Sequence, residues 1–488
     1  MHPKRERERE KMDGVSNLPD EVLCQILSFL TTKEVALTSI LAKRWRNLLA
    51  FVPSLTINDS EFLHPEEGKQ DRQEIIQSFT DFVDSVLKLQ GNSSPLNKLS
   101  LKCVTVADKY RLDGWISNAL GRGVSDLALK IIIDDKVDNY QLSPKCFECC
   151  STLVRLKIAR GIDISLVGGG GGVSLPLLKT LVLDSVWVRS KQFEALLHAL
   201  PSLEELLLSN VTWRDGEVTV SSASLKTLTI KSSDWLSTLS FDTPSLLRFK
   251  YSGSIVTNFK VVVDMGDLVD AQIFFDESHN SIMQLREPDD ELFLYQKAIE
   301  YTSVWNLFHG IRNVQNLYLF PTTLELLFTC SKSFYRKLPG FKNLKSLAVK
   351  SDKDCGWQAM PLLLRKCPRL ETLVLEGLMH DVTSMCGDFC DCIPRERKGC
   401  SLGCCRVKLM KIYGFRGTVK EMSMIKHFLY YLPPCLEEMR VYVEENNSPT
   451  TELENREVYK SVLEMFQLCS KRSRCNVKLM GLKSKTIS

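Results

Sequence analysis

The chain has 488 residues, of which 44% are hydrophobic and 25% charged, enough apolar material for more than one domain core. A formal net charge of +4 is too small to argue for nucleic acid, and no apolar run reaches the ~18 residues of a membrane span. The charged stretch His2 to Glu10 has none of the apolar character of a secretory signal, so a cytoplasmic or nuclear setting is expected, with the 17 cysteines as thiols rather than a disulfide framework.

Residues 1–13 read as a solvated, charged N-terminus. Pro19 suits the first turn of a helix, where its missing N–H costs nothing, and Asp20 and Glu21 complement the positive end of the helix dipole. Val22, Leu23, Ile26, Leu27 and Leu30 recur at helical spacing and predict one apolar face. Thr31 and Glu34 have the spacing of a capping box, which starts a second helix carrying Val35, Leu37, Ile40 and Leu41. Lys43 to Leu49 predicts a third helix, stopped before Pro53. Such a short bundle cannot complete a core alone, so it must dock on a partner or on the next domain.

Residues 14–55 resemble an F-box, on Leu18-Pro19-Asp20-Glu21-Val22-Leu23, Ile26-Leu27-Ser28-Phe29-Leu30 and Lys43-Arg44-Trp45. Thr31 and Ala42 depart from the usual plant pattern, which has Pro and Ser there. The resemblance implies docking onto a Skp-type adaptor and, through it, a cullin. It would place Leu18, Pro19, Ile26, Leu30, Val35, Leu41 and Trp45 at or just behind that interface.

Residues 56–95 read as a helical linker or N-terminal cap. From residue 96 onward the spacing Leu-x-x-Leu-x-Leu recurs, as in Leu96/Leu99/Leu101, Leu178/Leu181/Leu183 and Leu370/Leu373/Leu375, and residues 96–403 read as the repeat domain. Eight clear copies and five weaker ones, starting at Val124, Leu268, Val314, Val407 and Leu436, fall mostly 21 to 30 residues apart. That period is the signature of leucine-rich repeats. Alternate side chains of each strand point inward and stack on the next repeat, while the intervening ones face out. The outward positions of the first seven repeats favour basic residues, among them Lys102, Lys130, Arg155, Lys157, Lys231, Arg248 and Lys250. They suggest an acidic or phosphorylated protein client.

The region 276–312 breaks the period. Helix formers and the aromatic anchors Phe293, Tyr295, Tyr301, Trp305 and Phe308 predict a helical insertion there. Residues 404–482 resemble the FBD domain found downstream of plant F-box and repeat segments, on Val407 to Thr418, Glu421-Met422 and Ile425 to Leu429. Their pattern is strand, Gly-containing turn, amphipathic helix and strand, then a last helix and a closing strand at Asn476 to Met480.

Cys386, Cys390, Cys392, Cys400, Cys404 and Cys405 crowd into twenty residues, with His380 just upstream. Zinc on Cys386, Cys390, Cys392 and Cys400 is the alternative to an inserted loop, since the spacing lacks the paired C-x2-C hooks of common structural sites. Gly168 to Gly172 is followed by no Lys-Ser/Thr and reads as a loop between repeats. No catalytic constellation stands out, and no cofactor is expected. The fold class is therefore α/β, with a three-helix F-box, a leucine-rich-repeat solenoid and a C-terminal FBD-type segment. The functional expectation is a non-catalytic adaptor, the substrate-recognition subunit of an SCF-type cullin ubiquitin ligase. A non-degradative repeat scaffold or small-ligand receptor is the alternative; neither nucleic acid nor membrane is an expected partner.

Overall fold

The computed structural model describes residues 18–41, 43–62, 72–91, 95–104, 108–132, 140–147, 150–165, 173–232, 236–278, 280–281, 302–333, 338–350, 352–353, 355–378, 380, 386–390, 392, 401–403, 405–432, 435–443, 462, 464–468 and 475–480. The fold has two compact units, Met1–Leu225 and Lys226–Ser488.

In the first unit, helices Asp20–Leu27 and Thr32–Thr38 and the 3-10 segment Lys43–Phe51 precede a parallel ladder. Its strands are Ser54–Asn58, Lys98–Cys103, Asp126–Ile131, Arg155–Ala159, Thr180–Asp184 and Glu205–Ser209. Leu55, Leu99, Leu127, Leu156, Leu181 and Leu206 stand opposite one another in register, and so do Ile57, Leu101, Leu129, Ile158, Leu183 and Leu208. All twelve side chains are buried, so each repeat completes its apolar row on its neighbours. The short strands Tyr140–Gln141, Ile162–Asp163, Trp187–Val188 and Thr212–Trp213 form a second parallel sheet. The turn from ladder to second sheet repeats its geometry. Arg160, Ser185 and Asn210, each directly after a ladder strand, have φ of 45°, 56° and 48°. Gly161 follows at φ 71°, where an added Cβ would lie 2.4 Å from the Ile131 carbonyl oxygen, so only glycine fits.

In the second unit the ladder strands are Thr227–Ser232, Arg248–Gly253, Asp270–Phe275, Asn316–Leu319, Ser346–Lys350, Thr372–Glu376, Leu409–Phe415, Glu438–Val443 and Asn476–Met480, again all parallel. Leu228, Phe249, Ala271, Leu317, Leu347, Leu373, Met410 and Met439 make one buried row in register. Helices Pro321–Ser333, Met360–Lys366 and Val419–Tyr431 each connect successive ladder strands and bury apolar side chains, among them Leu327, Leu363 and Phe428. The last begins with a capping box in which Thr418 Oγ1 accepts the Glu421 N–H and Glu421 Oε2 accepts the Thr418 N–H.

All thirteen repeat copies expected from the leucine spacing lie on ladder strands. The 56–95 segment corrects the expected boundary: the ladder starts at Ser54–Asn58, and helix Arg72–Gln90 follows within the same stack. Lys43–Phe51 is a 3-10 segment rather than an α-helix. Of the expected insertion, a helix over 302–310 carries Trp305 and Phe308 into the core; Phe293, Tyr295 and Tyr301 lie outside the described residues. The charged N-terminus and the glycine run also lie outside them. The 404–482 segment continues the strand ladder through Leu409–Phe415, Glu438–Val443 and Asn476–Met480.

Candidate docking surfaces

The short N-terminal helices are tied to the ladder by polar contacts that sequence periodicity does not reveal. Thr32 Oγ1 accepts the N–H of Thr56 at 2.9 Å, which fixes the second helix on the first ladder strand. Gln90 Nε2 donates to the carbonyls of Leu49 and Val52 at 3.0 and 3.1 Å, which satisfies the end of the 3-10 segment from the long helix behind it. Lys33 donates to the Glu61 carbonyl and lies over the Phe62 ring, 4.4 Å from its centre. Arg44 closes the module by donating to the Leu18 carbonyl and to Asp20 Oδ1, both at 2.6 Å.

This anchoring consumes one apolar stripe and leaves another. Leu23, Leu27, Val35, Leu48, Leu49 and Val52 form the buried side. Phe29 is 90% exposed, Ile40 78% and Leu41 75%, and Val22, Ile26, Leu37 and Phe51 are exposed as well. Among the described residues, seven of the eighteen large exposed hydrophobic side chains fall between Val22 and Phe51. That concentration within one short module makes it a candidate docking surface.

Most of the residues expected at the adaptor interface are accessible there. Pro19, Ile26 and Leu41 are exposed, and Leu18, Leu30 and Trp45 are half-buried. Val35 is a correction: at 2% exposure it belongs to the core against the first ladder strand, because the helix is pinned there by Thr32. Phe29, Ile40 and Phe51 were not expected at the interface. The expected second helix does not carry Ile40 and Leu41: it ends at Thr38, and both residues lie beyond it.

The basic outward residues are all accessible, and each unit carries its own set. In the first, Arg155 and Lys157 are exposed and Lys102 and Lys130 half-buried. Lys102 and Lys130 stand side by side in register. Arg155 Nη1 lies 3.8 Å from Asp126 Oδ2, so part of its charge is answered within the surface. In the second unit Lys231, Arg248 and Lys250 are exposed. Arg248 and Lys250 border a hollow of about 300 Å³ whose other walls include Asp270, Gln272, Tyr318 and Ala348.

Sequence reasoning missed an aromatic strip on the outward side of the second unit. Phe274, Tyr318 and Phe320 are half-buried, with Tyr318 and Phe320 ring centres 4.7 Å apart and Phe274 and Phe320 5.0 Å apart. Tyr318 donates to Glu376 Oε2 at 2.5 Å, and burial first, then that bond, pushes its phenol above the usual range. Further along, Tyr413 and Tyr442 stack at 4.3 Å. The signal was present in the sequence, since Phe274 and Tyr318 sit at outward positions of their strands and Phe320 directly follows the strand end at Leu319.

Of the cysteine-rich stretch, Cys386, Cys390 and Cys392 come together, joined by His380; Cys400 lies outside the described residues. The Cys390 thiol is pushed up to about 12, first by its hydrogen bond with Cys386 and then by burial.

Family comparisons agree with this anatomy. The F-box domain model matches residues 15–55, and a model described as "FBD-associated F-box protein At5g56370, LRR repeats" matches residues 112–266. The F-box protein At3g59000 of Arabidopsis thaliana is 53% identical over 473 residues, covering 96% of this chain and 94% of that protein. The F-box/LRR-repeat protein At5g38396 of Arabidopsis thaliana is 50% identical over 476 residues, covering 96% and 99% respectively. With the docking module, the leucine ladder and near full-length identity in agreement, the chain belongs to the F-box/LRR-repeat protein family.

Proposed function

We propose that this protein is a substrate-recognition subunit of an SCF-type cullin ubiquitin ligase, acting in the cytoplasm or nucleus. Its F-box would hold a Skp-type adaptor and its outward repeat surfaces a client protein. The observation that carries the reading is the exposure of Phe29, Ile40 and Leu41 in a module whose other apolar side chains, Leu23, Leu27, Val35, Leu48 and Leu49, are already buried in its own core. F-box domains generally bind Skp-type adaptors, and an exposed stripe of this kind supplies the burial such binding needs. The chain then contributes positioning: it holds the client near a ubiquitin-charged enzyme brought by the cullin, and proximity raises the effective concentration of the reacting groups.

The exposed Lys157 of the first unit, and Arg248 and Lys250 beside the hollow of the second, favour a client segment that is acidic or phosphorylated. Tyr318 adds an aromatic wall to that hollow.

Affinity capture with the proteasome blocked, on wild-type chain, Leu41→Asp and Lys157→Glu/Lys250→Glu, tests the two surfaces separately. Leu41→Asp is expected to lose the adaptor and cullin while keeping clients. The charge reversal is expected to keep the adaptor and lose clients. Adaptor retention by Leu41→Asp at the wild-type level rejects the docking face, and an unchanged client set in the reversal rejects the basic surface. Client abundance that stays constant when the protein is removed points instead to a non-degradative scaffold.

A further inference from the structure

The link between ladder strands Thr372–Glu376 and Leu409–Phe415, residues 377–408, is longer than most links of this ladder. Connections of this length within a compact fold need a structural or functional reason. We propose that His380, Cys386, Cys390 and Cys392 of this link bind a zinc ion that fastens it between the repeats on either side.

Convergence is the first argument. One ligand atom from each of the four residues lies within 4.8 Å of all the others. A tetrahedral zinc with Zn–S of about 2.3 Å and Zn–N of about 2.0 Å needs its donors roughly 3.5–3.8 Å apart. The four groups are thus already gathered around one point, and small rotamer changes complete the tetrahedron. Cysteines that merely fill space do not gather in this way. Buried Cys24, for example, sits in the core of the N-terminal module and donates weakly to the Leu48 carbonyl.

The donor set is the second argument. Three thiolate sulfurs and an imidazole nitrogen suit zinc and disfavour magnesium or calcium, which require oxygen. His380 is 2% exposed, with Nε2 2.8 Å from Cys392 Sγ and Nδ1 buried without a hydrogen-bond partner. Cys386 and Cys390 are fully buried, whereas Cys392 is half-buried and gives the ion a way in.

The surroundings hold the ligands in place. The His380 ring stacks on Trp357 at 4.5 Å, and Trp357 also contacts Phe389 at 5.4 Å. Gly387 turns the chain between two of the cysteines at φ 57°, where an added Cβ would meet Pro361 at 3.0 Å. Asp388 accepts the Leu402 N–H at 2.7 Å and the Ser401 hydroxyl, and its carbonyl accepts from His427 Nε2 at 2.8 Å. Lys420 donates to the His380 carbonyl at 2.6 Å. Neighbouring groups that orient metal ligands in this way are part of a working site. On binding, zinc sheds water, each cysteine thiol releases its proton to solvent, and each sulfur contributes a lone pair to a Zn–S bond. Three thiolates and a dication leave one net negative charge, next to the Lys420 ammonium.

The test needs neither adaptor nor client, so its failure is separate from failure of the proposed function. Elemental analysis of the purified full chain is expected to give about one zinc per chain. Cobalt(II) added to metal-stripped protein is expected to give sulfur-to-cobalt charge transfer and the ligand-field bands of a tetrahedral ion. Cys392→Ser is expected to weaken cobalt binding by about 100-fold or more, with secondary structure by circular dichroism unchanged. Cys367→Ser, a buried cysteine outside the four, is expected to bind as wild type. Zinc far below stoichiometry in the wild type overturns the proposal. So does an octahedral cobalt spectrum, acid-labile sulfide marking an iron–sulfur cluster, or equal metal in wild type and Cys392→Ser. If Cys392→Ser fails to fold, the wild-type cobalt spectrum decides alone.

Discussion

Truncating Leu41 to alanine separates docking from folding. Leu41 is three-quarters exposed, so its side chain contributes little to the chain's own core, and Leu41→Ala should change folding stability by no more than about 0.5 kcal/mol. On the proposed docking face the same side chain would become buried when the adaptor binds. Alanine removes three carbons, worth about 0.8 kcal/mol each when fully covered. Scaled to the exposed fraction, the loss is about 1.8 kcal/mol, or roughly a 20-fold weaker Kd. Interface truncations act mainly on dissociation, so biolayer interferometry of the full chain against an immobilised Skp-type adaptor should show a faster off-rate at near-constant on-rate. Val35→Ala is the matched control. Val35 is buried in the same module, so its truncation should cost stability, about 1.5–2.5 kcal/mol, and leave the affinity of the folded fraction intact. A Leu41→Ala off-rate within about twofold of wild type, where about 20-fold is required, refutes the reasoning that the exposed stripe is the docking surface.

Two further perturbations address the ladder. Gly161→Ala should destabilise the first unit by at least about 2 kcal/mol, since alanine at φ 71° is strained and its Cβ would press on the Ile131 carbonyl; an unfolding midpoint equal to wild type in urea contradicts this. Glu438 is held down to about 2, from an ordinary 4.5, by hydrogen bonds from Arg440 and then Lys478. A depressed folded-state value means the contribution is complete above the unfolded value and fades as pH falls from about 4.5 toward 2. The urea midpoints of wild type and Glu438→Gln should therefore differ most near neutrality and converge across that acid window; a difference that stays constant with pH contradicts the assignment.

The ladder was legible because its cause is local and repeated. Each Leu-x-x-Leu-x-Leu copy carries its own strand, and stacking identical units requires no further information. The strand left out, Ser54–Asn58, has the same signal in Val52, Leu55 and Ile57, all buried. It was hidden because it overlaps the end of the F-box pattern, and one short stretch serves both elements. The link cysteines were visible as a cluster, but their choice of partner was not. His380 joins them because Trp357, from the preceding repeat, stacks on its ring, and no spacing along the chain encodes that contact.

The docking face shows why burial cannot be read from helical periodicity alone. Val22, Leu23, Ile26 and Leu27 make a single apolar face on a helical wheel, yet they form two adjacent stripes. Leu23 and Leu27, four apart, turn into the core with Cys24, while Val22 and Ile26, also four apart, face solvent. Which stripe turns inward is decided elsewhere. Thr32 fastens the second helix to Thr56, Gln90 fastens the 3-10 segment, and Arg44 holds the start of the first helix through Leu18 and Asp20. With those three ties made, Leu23, Leu27 and Val35 are buried while Val22, Ile26 and Leu37 stay exposed. The incompleteness of the F-box thus follows from how it is mounted. A module fixed by polar contacts on one side keeps its second apolar stripe available, in a fixed orientation, for a separate protein.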